Sequence, residues 1–123
     1  MGEPVLHFEI IAKDADKLRG YYSEMFGWEI DASNPMNYGI IPRYTDAEGA
    51  GIGGGLGPAM DGYEGHVTVY VGVPDVEAAL VKAESLGGKR LLGPQAVPGG
   101  PEIGQFADPE GHVIGLLKLP GSR

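Results

Sequence analysis

The 123-residue chain contains no cysteine, which excludes a disulfide framework, a thiol nucleophile and a cysteine-type zinc site. Positive charge is scarce: nine Lys and Arg stand against 17 Asp and Glu, for a net charge of −8. So acidic a chain repels phosphate backbones and anionic lipid, and neither nucleic acid nor a membrane surface is an expected partner. Long apolar runs are missing too, none approaching the ~18 residues that a membrane-spanning helix needs. The opening MGEPVLHFEI has neither a basic stretch nor a long apolar core, and does not read as a secretory signal. The expectation is a cytoplasmic protein of one domain, residues 1–123. Glycine and proline are plentiful, at 22 and 10 residues. They cluster between apolar runs, so they read as turns and not as low-complexity disorder.

Hydrophobic periodicity gives the elements. Residues 5–12 are apolar but interrupted by His7 and Glu9. In a strand those two share one face, and Leu6, Phe8 and Ile10 take the other. Asp14 is placed as a helix N-cap ahead of the stripe Leu18, Tyr21, Tyr22, Met25 and Phe26, with Gly27 as the stop. Strand candidates follow at 28–31, 38–44 and 50–56, the third weakened by a run of glycines without side chains to pack. Residues 66–73 form the next strand, with valines 67, 69, 71 and 73 alternating toward a second helix. Asp75 caps that helix, whose stripe is Val76, Ala79, Leu80, Ala83 and Leu86, and Gly87-Gly88 ends it. Strands at 89–92, 103–107 and 112–119 complete the chain, the last two joined by the turn Asp108-Pro109-Glu110-Gly111.

An offset of 61 lays Asp14 on Asp75, Leu18 on Ala79, Met25 on Leu86, Gly27 on Gly88 and Gly54 on Gly115. The implied architecture is α+β: two paired βαβββ modules, about 5–58 and 64–119, forming a curved eight-stranded mixed sheet around a concave pocket. Strand alternation turns His7, Glu9, His66, Thr68 and Tyr70 into that concavity, an arrangement suited to a small organic ligand. Taken singly, each histidine is as easily a satisfied structural residue, and Thr68 and Tyr70 are common in strands. Glu9 in mid-strand needs a partner or water. The pair Tyr21-Tyr22 reads as core and His112 as surface. Residues 49–54, GAGIGG, satisfy a G-x-G-x-x-G pattern, but Leu56-Gly57-Pro58 cannot open the helix a dinucleotide site requires. No serine stands in a nucleophile-elbow context. The long segment 93–104 reads either as a lip over the concavity or as a plain crossover.

The opening LHFEI, YYSEMFGWE after the first helix, GIGGGL in the middle and the ending FADPEGHVIGLLK resemble the vicinal oxygen chelate superfamily across residues 5–119. That superfamily includes glyoxalase I, bleomycin- and fosfomycin-resistance proteins and extradiol dioxygenases, and the likeness runs to its small bacterial branch related to lactoylglutathione lyase. In its metal enzymes the first and last strands of each module supply the ligands, typically His and Glu. The resemblance carries those positions onto His7, Gly54, Thr68 (with His66 two residues early) and Gly115. Glycine coordinates nothing, so the usual metal is expected to be absent and no cofactor is assigned. A relocated divalent site on His7, Glu9 and His66 is the chemical alternative. Glycine at these places also widens a cavity and lets a ligand approach the backbone. Three functions follow: a metal-free small-molecule-binding protein, which leads; a metal-free enzyme with Glu9 or His66 as general acid/base on an enolisable carbonyl; and a metal-dependent lyase, isomerase or dioxygenase with moved ligands. Gly54, Gly115, Thr68 and Tyr70 join His7, Glu9 and His66 as expected ligand-binding positions. The resemblance also implies a homodimer.

Overall fold

The computed structural model describes residues 2–121. The order of elements is β1 (Val5–Ala12), α1 (Ala15–Phe26), β2 (Gly39–Ile41), β3 (Gly53–Pro58), β4 (His66–Val73), α2 (Val76–Ser85), β5 (Lys89–Ala96), β6 (Glu102–Ala107) and β7 (Val113–Lys118). This is an α+β chain with two helices and seven strands among the described residues. It divides into two compact units, one of residues 7–67 and one of residues 68–121 together with 2–6. Among the described residues no helix is long and apolar enough to cross a membrane.

In the unit of residues 7–67 the strand order is β2-β3-β1. β1 runs parallel to β3, pairing His7 with Gly53 and Ala12 with Pro58, and β2 runs antiparallel to β3. Asp14 accepts a hydrogen bond from the Lys17 N–H at the start of α1, and Gly27, left-handed at φ 72°, ends it by donating to the Ser23 carbonyl. Ile10, Ala15, Ile41 and Leu56 form the core, with Phe8, Leu18, Tyr22, Trp28 and Ile30 packed against them. Phe8 and Ile10 thus take the face that alternation assigns them. Leu6 does not join them: it belongs to the other unit and is 40% exposed.

Three sequence expectations shift here. Residues 28–31 make only a single bridge, Asp31 to Ile40, and no strand. The Trp28 ring is drawn into a cluster with Phe8, Tyr22 and Phe26, and the Glu29 N–H donates to the Tyr44 hydroxyl, so that backbone is satisfied outside a ladder. The described residues therefore hold seven strands where eight are expected. The strand at 38–44 contracts to β2, and the glycine-rich strand is displaced from 50–56 to β3. Far from weak, β3 is the middle strand of its unit, with Leu56 fully buried.

The second unit orders its strands β4-β7-β6-β5, with β4 parallel to β7 and the remaining pairs antiparallel. The Asp75 side chain accepts from the Ala78 N–H to start α2. Val76 and Leu80, both fully buried, pack with Val73 and Leu116, flanked by Val71, Ala79 and Phe106. Val71 and Val73 pack with the helix; Val67, which belongs to the unit of residues 7–67, is 75% exposed, and Leu86 lies past the helix at 69% exposed. The segment 93–104 is mostly strand: β5 reaches Ala96 and β6 begins at Glu102, so only a tight connection remains, with the Val97 N–H donating to the Pro101 carbonyl. Neither a lip nor a crossover describes it.

Candidate functional site

Within residues 7–67 the structure brings His7, Glu9 and His66 together and adds two tyrosines. β1 places His7 and Glu9 on the face opposite the core. Glu9 is 7% exposed, and both its carboxylate oxygens are engaged. Oε1 lies 3.0 Å from His66 Nε2, and Oε2 accepts from the Tyr38 hydroxyl at 3.0 Å. The Tyr38 oxygen also lies 3.0 Å from His7 Nε2, with the two rings stacked. The Tyr63 hydroxyl meets His66 Nδ1 from the far side. The result is one relay, His7–Tyr38–Glu9–His66–Tyr63.

With Glu9 as a carboxylate, the donors and acceptors along it follow from one another. Tyr38 donates to the carboxylate, so its oxygen must accept, and His7 carries its proton on Nε2. His66 likewise donates from Nε2 to Glu9, and its Nδ1 accepts from Tyr63. Burial holds the His7 pKa below its ordinary 6.5 against the opposing pull of the Glu9 charge, which keeps that ring neutral at pH 7.

Local geometry explains why these side chains meet. Gly65 has φ 103°, and a Cβ there would stand 2.2 Å from the Ile11 carbonyl oxygen. Only glycine lets the chain pass so close to β1 as β4 begins, which sets His66 beside Glu9. The Asn34 side chain clasps the Tyr38 backbone, donating to its carbonyl at 2.6 Å and accepting from its N–H at 2.9 Å. The Tyr38 ring lies across β3, where a Cβ on Gly55 would be 2.0 Å from its hydroxyl oxygen and one on Gly57 2.7 Å from the ring.

Gly54 is corrected by the same test. A Cβ there would meet the Phe8 ring at 2.5 Å, so Gly54 faces the core, and Gly55, the partner of Glu9 in the sheet, is the glycine on the site face. The halves superimpose one residue differently at this strand. Nor is the space widened by glycine left open, because the Tyr38 ring fills it.

Thr68, Tyr70 and Gly115 come together in the second unit. Thr68 and Tyr70 are 5% and 4% exposed. The Thr68 hydroxyl donates to the Val113 carbonyl, and the Tyr70 hydroxyl accepts from Gln105 Nε2 at 2.8 Å. Tyr70 pairs with Gly115, whose missing side chain leaves room for its ring. His112 is exposed and bonded to Asp108. Tyr38 and Tyr63 were not visible as site residues in the sequence. Tyr38 sits between a polar loop and a short strand, without periodicity. The only sign of Tyr63 is the glycine pair Gly62 and Gly65 around it, both at positive φ, which marks a turn returning toward His66.

As a metal set these residues do not fit. His66 Nε2 faces Glu9, but His7 Nε2 faces the Tyr38 hydroxyl, and the carboxylate oxygens are both taken up by hydrogen bonds. Among the described residues no three metal-ligating side chains converge on one point, as a divalent site requires. The arrangement can instead hold a polar ligand and pass protons between a carboxylate and an imidazole.

The sequence profile of the Glyoxalase/Bleomycin resistance protein/Dioxygenase superfamily matches residues 5–116. CFP32 of Mycobacterium bovis and of Mycobacterium tuberculosis, provisionally named a glyoxylase, is 29% identical over 116 residues. That match takes in 89% of this chain but 42% of CFP32, so the chain spans about two fifths of the length of these curated relatives. A methylmalonyl-CoA epimerase variant from Streptomyces coelicolor, solved with 2-nitronate-propionyl-CoA, superimposes with TM-score 0.68 at 16% identity, over 97% of this chain and 99% of that one. The Mn(II)-bound glyoxalase from Novosphingobium aromaticivorans gives TM-score 0.63 at 21% identity, over 93% and 38%. At such identities the likeness to the solved structures is one of fold.

Proposed function

The chain belongs to the Glyoxalase/Bleomycin resistance protein/Dioxygenase superfamily, and from that premise we propose that it binds a small organic ligand at the site that His7, Glu9 and His66 form beside Tyr38 and Tyr63, without a divalent metal. One observation carries the proposal: a Glu9 carboxylate only 7% exposed is held between donors from Tyr38 and His66 on the face of β1 opposite the core. Packing alone does not call for a buried carboxylate with two imidazoles and two phenols around it, and an apolar residue there avoids the desolvation. The charge around it points to a ligand whose bound end is not anionic. Of the four cations in residues 7–67, Lys13 pairs with Glu64, Arg19 with Asp16, Arg43 binds the carbonyls of Gly49 and Gly51, and Lys17 lies on α1, whose Leu18 and Tyr22 pack on the core side of β1. A negative group would therefore approach Glu9 without these cations. The element bounds further support a duplicated unit, since β4 begins 61 residues after β1 and α2 begins 61 after α1. A homodimer is part of the same proposal, and light scattering near the monomer's 12.9 kDa would contradict it.

The test is titration with a panel of uncharged aromatic and carbonyl compounds, with coenzyme A and glutathione as anionic comparators, followed on the imidazole resonances. Binders are expected to move His7 and His66 and to weaken at least tenfold in Glu9→Gln. Binding indifferent to Glu9, or coenzyme A binding tightest, overturns the proposal. Stoichiometric Mn, Fe, Ni or Zn in protein purified without chelators overturns its metal-free part.

The 3.0 Å contact between Glu9 and His66 favours one second reading, general acid/base chemistry on an enolisable carbonyl. Glu9→Gln would then abolish solvent deuterium uptake at the ligand's acidic C–H while leaving binding measurable.

A further inference from the structure

Tyr38 stands where a ligand would stand. Its ring fills the space above Gly55 and Gly57, and its hydroxyl sits between His7 Nε2 and Glu9 Oε2 at 3.0 Å from each. The backbone beneath it is fixed. Asn34 bonds both the N–H and the carbonyl of Tyr38, the Asn37 N–H donates to the Asn34 carbonyl, and Asn37 is held at φ 53°. The contacts of the side chain include two hydrogen bonds at its tip, to His7 and Glu9, and a stack on His7. It is only partly buried. A clasped backbone carrying a partly buried ring that lies over glycines is the construction of a plug that turns about its own χ1 while the chain stays in place.

We propose that Tyr38 is such a plug, which a ligand must displace to reach His7 and Glu9. This rests on the binding function proposed above. With the ring turned out, β3 offers a floor of two glycines without side chains, and the wall of that floor presents one donor, His7 Nε2–H, and one acceptor, Glu9 Oε2. The group that replaces a phenol there is flat and carries a hydrogen-bonding oxygen at its edge. Wild-type affinity is then reduced by the fraction of time the plug is in, and loosening the plug tightens binding even where no space is added.

4-Methylphenol, the free counterpart of the tyrosine side chain, is the probe, and toluene the comparator without the hydroxyl. Titrations of the wild type, Tyr38→Phe and Tyr38→Ala are followed by the amide shifts of Gly55 and Gly57 and the ring shifts of His7. In the wild type, 4-methylphenol is expected to move those signals. Tyr38→Phe keeps the ring but loses both hydroxyl contacts, and should bind 4-methylphenol roughly five- to thirtyfold more tightly than the wild type, as one or two lost hydrogen bonds imply. Tyr38→Ala should bind it at least as tightly as Tyr38→Phe, and should discriminate against toluene by tenfold or more. Equal affinity in the wild type and Tyr38→Phe overturns the plug, and this variant, which keeps the packed ring, decides the matter if Tyr38→Ala fails to fold. So does binding that leaves Gly55, Gly57 and His7 unmoved. If Tyr38→Phe gains affinity but adding Glu9→Gln to it changes nothing, the plug stands and the recognition role of Glu9 falls, so the two failures are separable.

Discussion

Replacing Glu9 by leucine and by glutamine separates a carboxylate that organises its neighbours from one that merely burdens the fold. Leucine removes the acceptor for the Tyr38 hydroxyl and for His66 Nε2–H, and His66 is 12% exposed at its side chain. Each partner left unsatisfied costs about 1–3 kcal/mol, so the gross loss is about 2–6 kcal/mol. Burying leucine offsets about 1.5–3 kcal/mol of that. Tyr38 can also donate to His7 Nε2 once that ring moves its proton to Nδ1, which leaves the stranded His66 imidazole as the larger residual. The net expectation is a loss of about 1–3 kcal/mol. Glutamine fills the same volume and keeps one carbonyl oxygen. Its amide can donate to His66 Nε2 if that ring moves its proton to Nδ1 and donates to Tyr63, so the relay reconnects at a cost of about 1 kcal/mol. Urea unfolding, read as a change in midpoint at constant m-value, measures both. Glu9→Leu is expected below Glu9→Gln, and both below the wild type. Glu9→Leu at or above the wild type would mean that desolvation of the carboxylate outweighs its bonds, and the relay would not be a structural hub.

Other outcomes follow from the same geometry. His7 titrates below its ordinary 6.5 in the folded protein, so the unfolded chain binds the proton first as pH falls. Stability is expected to be lost from pH 6.5 down through the lowered folded value, and His7→Gln should flatten that window in pH-dependent urea midpoints. A Cβ at Gly55 would strike the movable end of Tyr38, whereas one at Gly54 would strike the Phe8 ring and come within 2.6 Å of its carbonyl oxygen. Gly55→Ala should therefore release the Tyr38 ring, visible as an altered His7 resonance, with less loss of stability than Gly54→Ala. Leu80→Ala empties a fully buried position under α2 and should cost about 2–5 kcal/mol by urea unfolding. Asp14→Ala removes the N-cap bond to Lys17 and should cost about 1 kcal/mol in the same assay.

Capped helices were plain in the sequence because their signals are local. Asp14 and Asp75 each accept from a backbone N–H three residues on, as an N-cap does. Alternation also put His7 and Glu9 on the face away from Phe8 and Ile10. Two kinds of fact were not legible. One is register: a shift of one residue exchanges the faces of a strand, which is why Gly54 was expected beside Glu9 and Gly55 is its partner in the sheet. The other is aromatic cover of glycine. β3 looked unfit for a central strand because its glycines pack nothing, yet Phe8 and Tyr38 supply the rings from outside the strand. Tyr38 and Tyr63 reach the site through turns, where no periodicity announces which way a side chain points.

Two-bond nitrogen–proton spectra of the imidazoles at pH 7 probe the Glu9 hub most directly. His7 is expected as the Nε2–H tautomer and His66 with a proton on Nε2, and both patterns should be unchanged after chelator treatment. An Nδ1–H tautomer at His7, a His66 Nε2 without a proton, or a nitrogen resonance that moves when divalent metal is stripped away contradicts a carboxylate held between Tyr38 and His66.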